Sequence, residues 1–186
     1  MPRKYIEEPR AAVRRRDRAV EDHAWITALL HRAAIGMLAT QHDGQPFING
    51  NLFVFDEPAR VIYMHTAQVG RTRANIEHEE RVCFSVTEMG RLLPADEALE
   101  FSVEYAGVVV FGRAAVVSDH AEAQHGLQLL LDKYFAHLRP GEHYRPITDE
   151  ELARTCVYRI AIDEWSGKQK AVAADFPGAF VYRAPR

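Results

Sequence analysis

The chain has 186 residues, with 47% hydrophobic and 26% charged. That is the length and balance of one globular domain able to bury a core. Its net charge of -3 runs against a nucleic-acid binder, which presents a basic patch.

The two cysteines, Cys83 and Cys156, are far apart and lack CxxC spacing. Neither a zinc signature nor a disulfide framework is expected, and both read as buried thiols in a reducing compartment. Residues 1–19 are charged and aperiodic, an arm ahead of a single domain over 20–186. Arg14, Arg15, Arg16 and Arg18 are followed by Glu21, Asp22 and His23, not by the apolar run of a secretory signal. No stretch approaches the roughly 20 apolar residues of a membrane span. The expectation is a cytoplasmic protein with no membrane or nucleic-acid partner.

Asp22 is placed to cap a helix whose buried face carries Trp25, Ile26, Leu29, Leu30 and Ala33. The period then changes. Residues 35–40 form a short apolar run, and His42-Asp43-Gly44-Gln45-Pro46 reads as a tight hairpin turn, because Asp-Gly supplies positive φ. Phe47 to Phe55 is a second strand, 56–60 a turn, and Val61 to Thr66 a third strand. Short turns between successive strands predict an antiparallel meander. Gly70 to His78 is a short helix, Arg81 to Val86 a strand, and Met89 to Leu99 a loop. Val103 to Val117 is one long strand, with Gly107 and Gly112 as candidate bulges. Ser118 to His137 is a helix opened by a capping box of Asp119 and Glu122, with Leu127, Leu130, Leu131, Tyr134 and Leu138 as its buried stripe. Thr148 and Glu151 form another capping box, Val157 to Trp165 is the last strand, and 171–186 has no strong pattern. The fold class is mainly β with flanking helices: about six antiparallel strands that close toward a barrel.

The segment from Tyr63 to Asn75 carries the most chemistry. It runs from a strand end through a polar turn into a helix start, where free N–H groups and the helix dipole favour phosphate. Thr66 and Thr72 offer hydroxyls, and Arg71 and Arg73 offer guanidinium groups. The same residues also suit a solvated basic helix start. His65, beside them, suits a structural hydrogen bond, cofactor contact, acid–base work or haem ligation. Asn49-Gly50-Asn51 lies inside a strand, where such residues mark a bulge or a ligand close to the backbone. Trp165-Ser166-Gly167-Lys168 reads as a core tryptophan before a turn, or as an aromatic wall and a charge beside a planar ligand. The nine histidines are scattered, and no metal site is expected. No GxSxG, Walker A or GxGxxG motif occurs.

Taken together, these segments resemble the pyridoxamine-phosphate-oxidase-like flavin proteins over roughly residues 14–170. The matching stretches are Gly36 to Thr40, Gly44 to Phe47, Asn51 to Phe55, Tyr63 to Thr66, Gly70 to Ile76, Arg81 to Phe84, Tyr105 to Val110, Phe111 to Ala114 and Trp165 to Lys168. Within that superfamily the chain is most similar to the NimA-type nitroimidazole-resistance branch. The resemblance implies a split β-barrel homodimer with FMN sites shared across the interface. It implies that Thr66, Arg71 and Thr72 hold the FMN phosphate, and that Asn49, Gly50, Asn51 and Leu52 line the isoalloxazine edge. Trp165 and Lys168 would reach the flavin from the partner subunit. His65 corresponds to the histidine that the NimA branch carries beside the cofactor.

The chain departs from the vitamin oxidases in two places. Thr72 stands where they carry a lysine, and Lys170-Ala171-Val172-Ala173 stands where they carry an Arg-x-His grip for pyridoxine phosphate. The expected activity is therefore an FMN-dependent reductase of small acceptors such as nitro compounds, with NAD(P)H as donor. Pyridoxamine phosphate oxidation is not expected. A haem-binding barrel, a non-catalytic flavin module and a deazaflavin enzyme are the alternatives.

Overall fold

Asp22 starts the first helix, α1 (His23–Arg32), by accepting a hydrogen bond from the Ala24 N–H. This satisfies one of the amides that a helix start leaves open. The structure, a computed structural model, describes residues 7–184; residues 1–6 of the expected arm, and 185–186, lie outside the described residues. α1 buries Ile26, Leu29 and Leu30, the face expected from their spacing.

Nine strands lie among the described residues, more than the six expected. Three of the six, β2 (Gly36–His42), β5 (Val61–Ala67) and β7 (Ser102–Val116), stand close to where the sequence puts them. The expected strand 47–55 is two strands, β3 (Gln45–Asn51) and β4 (Phe53–Asp56), parted at Leu52. Strand β6 (Arg81–Leu93) runs on through residues expected to be a loop, and β8 (Thr155–Lys170) overruns its expected span at both ends. The remaining two, β1 (Ala19–Val20) and β9 (Phe180–Val181), have two residues each, too few to show a period. Ala19, which the sequence assigns to the arm, pairs with Lys168 of β8.

The β2–β3 hairpin closes on Asp43 and Gly44, with φ of 49° and 75°; His42 pairs with Gln45 across them. That is the two-residue, positive-φ turn that Asp-Gly favours. Between β7 and β8 the register shifts from Phe111–Glu164 to Gly112–Ile162, so the bulge lies on β8 at Asp163, opposite Gly112, and not at Gly112 itself. Pairing is continuous through Gly107, which is not a bulge either.

Among the described residues the nine strands pair antiparallel throughout, and the main sheet runs β3-β2-β6-β7-β8-β5-β4. Its end strands, β3 and β4, are consecutive in the chain and separated by Leu52 alone. The sheet must therefore curl until its two edges meet at Leu52, although they do not pair: a split barrel with its seam at residue 52. Inside it Phe53, Phe55, Ile62, Met64, Phe84, Val108, Val110, Tyr158 and Ile160 pack with α1.

Outside the barrel, Val54, Val61, Tyr63 and Val157 pack against Leu130 of α3 (His120–Tyr134). Both faces of β4 and β5 are thus covered, which is why they read as unbroken apolar runs. At the start of α3, Asp119 accepts from the Glu122 N–H. The Glu122 carboxylate instead takes the Tyr63 hydroxyl and Arg159, so only half of that expected capping box forms. The box of Thr148 and Glu151, at the start of α4 (Asp149–Arg154), is complete. No helix is long and apolar enough to cross a membrane among the described residues.

Candidate functional site

At the seam, β5 runs past the end of β4, and its last residues lead through the turn 68–70 into α2 (Arg71–His78). Gly70 precedes this helix and brings no capping side chain, so the N–H groups of the first turn keep their hydrogen-bonding capacity and the positive end of the dipole faces outward.

The two arginines of the segment have different tasks. Arg73 donates to the Gln68 carbonyl at 2.9 Å and pairs with Glu77 at 2.8 Å. The Gln68 amide in turn donates to the carbonyls of Ala153 and Thr155. Arg73 therefore builds the turn and ties it to α4 and β8. Arg71 is exposed and has no hydrogen-bond or ion-pair partner among the described residues, leaving its guanidinium available to an anion.

Thr72 is buried, and its hydroxyl oxygen accepts from the Asn49 amide at 3.2 Å. The hydroxyl proton is left to donate elsewhere. Thr66 is more committed: its hydroxyl donates to the Ala67 carbonyl at 2.9 Å and lies 2.7 Å from the Tyr158 hydroxyl. A hydroxyl has one proton, so Tyr158 is the donor in that pair.

Asn51 works on the seam itself. Its amide donates to the His65 carbonyl at 2.6 Å, and its side-chain oxygen accepts from the Leu52 N–H at 2.9 Å. Gly50 is exposed, and a Cβ there would meet the Met37 sulfur at 2.9 Å, the end of a flexible, half-exposed side chain that can step aside.

His65 and Leu52 open onto a cavity of about 500 Å³. Leu127, Leu130, Leu131 and Tyr134 of α3 form its apolar wall, and Arg145 and Glu151 also line it. His65 Nδ1 is buried and has no hydrogen-bond partner. Burial lowers the imidazole pKa from its ordinary 6.5, because the charged form loses solvation. The ring is neutral at neutral pH and carries an uncommitted nitrogen.

Asn49, Asn51, Leu52, His65, Thr66, Arg71 and Thr72 thus gather around one seam. Trp165 and Lys168 do not join them within the chain. Trp165 packs edge-on against His23 and Phe55, with Arg60 stacked 4.5 Å from its ring centroid. Val157 faces His65 across the β5–β8 ladder, and Trp165 lies about 26 Å further along at about 3.3 Å per residue. Lys168 is exposed on the same strand, its ammonium 5.4 Å from the Tyr105 ring. The sequence reading missed Gln68 and Tyr158, whose roles are purely tertiary. It also placed Leu127 and Leu131 in a buried stripe; they are half-buried and face the cavity beside His65.

Residues 22–169 match the profile of the family described as pyridoxamine 5'-phosphate oxidase. Among solved structures, the chain is similar to the flavocytochrome Anf3 from Azotobacter vinelandii, with 25% identity and a TM-score of 0.78 over 96% of this chain and 87% of that one. It is similar in fold to an FAD and heme binding protein from Mycobacterium smegmatis, at 23% identity and a TM-score of 0.71 over 82% of this chain and 73% of that one. A protein from Bacteroides thetaiotaomicron described as a "putative 5-nitroimidazole antibiotic resistance protein" shares the fold at 16% identity and a TM-score of 0.67, over 81% of this chain and 86% of that one. No curated protein matches the sequence.

Proposed function

Since the chain belongs to the pyridoxamine 5'-phosphate oxidase-like family of flavin-binding split barrels, we propose that it is an FMN-dependent oxidoreductase acting on small acceptors such as nitro compounds. The observation that carries this reading is the uncapped start of α2 beside an exposed Arg71 that has no partner among the described residues. The residues present fit a flavin phosphate. Backbone N–H groups and the Thr72 hydroxyl donate to its oxygens, and Arg71 neutralises its charge. Asn49 orients Thr72, and Arg73 with Gln68 holds the turn. Thr72 in place of a lysine leaves Arg71 as the principal cation of the cradle.

When bound, the flavin supplies hydride and electron transfer between a nicotinamide donor and the acceptor, while the protein supplies position and electrostatics. The neutral His65 lies at the edge of this cradle, poised for hydrogen bonding to an acceptor. The stretch 170–173 is occupied otherwise than by gripping a substrate phosphate: the Val172 N–H donates to Glu104, and Arg91 donates to the carbonyls of Val172, Ala173 and Ala174. This supports a reductase over a vitamin oxidase.

The proposed active form is a homodimer. Ile35, Met37 and Ile48 are exposed on one face of the β2–β3 hairpin, around the exposed Gly50. A second copy covering that face would bury them, and a partner's Trp165 and Lys168 are then available to the shared site.

A second reading has its own support. The His65 ring, held neutral by burial and lining an apolar cavity of about 500 Å³, is suited to an axial haem ligand. The absorption spectrum of the purified protein, with mass spectrometry of what heat releases, tests both readings. Paired flavin bands and released FMN support the first, and their loss in Arg71→Ala supports the cradle. A Soret band abolished by His65→Ala supports haem. A colourless protein that takes up neither cofactor overturns both.

A further inference from the structure

The hairpin and α2 meet along one row of side chains. Thr72, Asn75 and His78 are spaced three apart on α2 and so share a face. Thr72 meets Asn49 of β3, Asn75 donates to the Thr40 hydroxyl of β2 at 2.9 Å in the buried layer, and His78 meets His42 at the end of β2. The first two contacts are ordinary hydrogen bonds. The third joins two imidazoles, with ring centroids 4.5 Å apart and an interplanar angle of 62°.

A carboxylate completes the group. Asp43, held at the hairpin turn with φ of 49°, places Oδ2 at 3.4 Å from His42 Nε2. One ligand atom from each of His42, Asp43 and His78 lies within 4.8 Å of the others. No hydrogen bond engages the buried Nδ1 of His42, so the protein contact of that ring's nitrogens is the one from Nε2 to Asp43. Zinc bonds to nitrogen and oxygen of about 2.0–2.2 Å separate tetrahedral ligand atoms by about 3.3–3.5 Å. The group is slightly wider than this, and its side chains are partly or fully exposed, so small rotations close it. The C-terminus of α2 adds the negative end of the helix dipole.

We propose that His42, Asp43 and His78 form a binding site for a divalent transition-metal ion of the zinc class, completed by water. Two imidazoles and one carboxylate are donors that suit zinc over magnesium or calcium. The ion staples the hairpin turn to the last turn of α2, about 10 Å along the helix from the phosphate cradle at about 1.5 Å per residue. The residues of the two sites do not overlap, so the metal site stands or falls independently of the flavin.

Calorimetric titration of the tag-free, full-length, chelator-treated protein with zinc tests this. One equivalent is expected to bind per chain. Loss of an outer-shell partner alone costs about 10–100-fold in metal affinity, so His78→Ala is expected to weaken binding by at least about tenfold. Asp43→Asn preserves the turn, because Asn tolerates positive φ, and is expected to weaken binding as well. Zinc should raise the melting temperature of the wild type and not of His78→Ala. Cobalt should give visible absorption bands of a nitrogen- and oxygen-ligated site. Absence of saturable zinc binding, or affinity unchanged in both variants, overturns the proposal. His78 and Asp43 are exposed, so unchanged far-UV circular dichroism is expected in both variants; if His78→Ala misfolds, Asp43→Asn alone decides.

Discussion

The Asn49 amide donates to the Thr72 hydroxyl across 3.2 Å, joining the edge strand β3 to the first turn of α2. This bond fixes where the Thr72 proton points. A net hydrogen-bond contribution of about 0.5–1.5 kcal/mol corresponds to about 2- to 13-fold in affinity. Asn49→Ala is therefore expected to raise the flavin dissociation constant by that factor, with little change in melting temperature because Asn49 is only part-buried. Quenching of flavin fluorescence on titration measures it.

His65 predicts a pH dependence of stability. Burial lowers its folded pKa below 6.5. The unfolded chain therefore binds a proton on this ring at pH values where the folded chain does not. Stability from this group is fully present above about pH 6.5 and is lost as pH falls toward the folded pKa. His65→Gln should lose less stability on acidification than the wild type, read from urea midpoints through that range. Parallel curves for the two proteins would remove His65 from the effect.

The homodimer is testable at Ile48, which is 62% exposed in the single chain. Ile48→Glu places a charge in the proposed interface, where desolvating it is costly. The variant is expected to be monomeric by light scattering and to bind flavin more weakly, since the shared site is lost with the partner. A wild type that is monomeric and still binds one flavin tightly contradicts the shared site.

Gly112 and Gly107 form a matched pair. A Cβ on Gly112 would lie 2.2 Å from the Ala161 carbonyl oxygen, a backbone atom that cannot step aside, whereas one on Gly107 would find ordinary contacts at 3.5 and 3.6 Å. Gly112→Ala is expected to destabilise by about 1–3 kcal/mol or more, and Gly107→Ala by well under half of that. Thermal or urea denaturation of the two variants checks the contrast.

Local chemistry was legible in the residues. Asp22 as a cap, Asp43-Gly44 as the hairpin turn and the Thr148–Glu151 box each depend on neighbours a few positions away, and each stands as read. The apolar period of α1 was equally plain, because burial on one face repeats at fixed spacing. The proposed phosphate cradle is readable for the same reason, as a strand end, a glycine and a helix start in one short segment.

What the tertiary structure decided are the relationships between residues distant in sequence. The split at Leu52 exists because the chain there leaves one edge of the sheet for the other; Asn49-Gly50-Asn51 marks an irregularity in the run 47–55 but not a crossing between edges. Only the fold separates Arg71 from Arg73, since the engagement of Arg73 depends on where Gln68 is anchored. Trp165 packs with His23, Phe55 and Arg60, far from His65 in its own chain. His42 and His78, scattered in the sequence, come together because a hairpin turn and a helix end arrive at the same place. Spacing along a chain encodes a face, and only the path of the backbone brings two faces into contact.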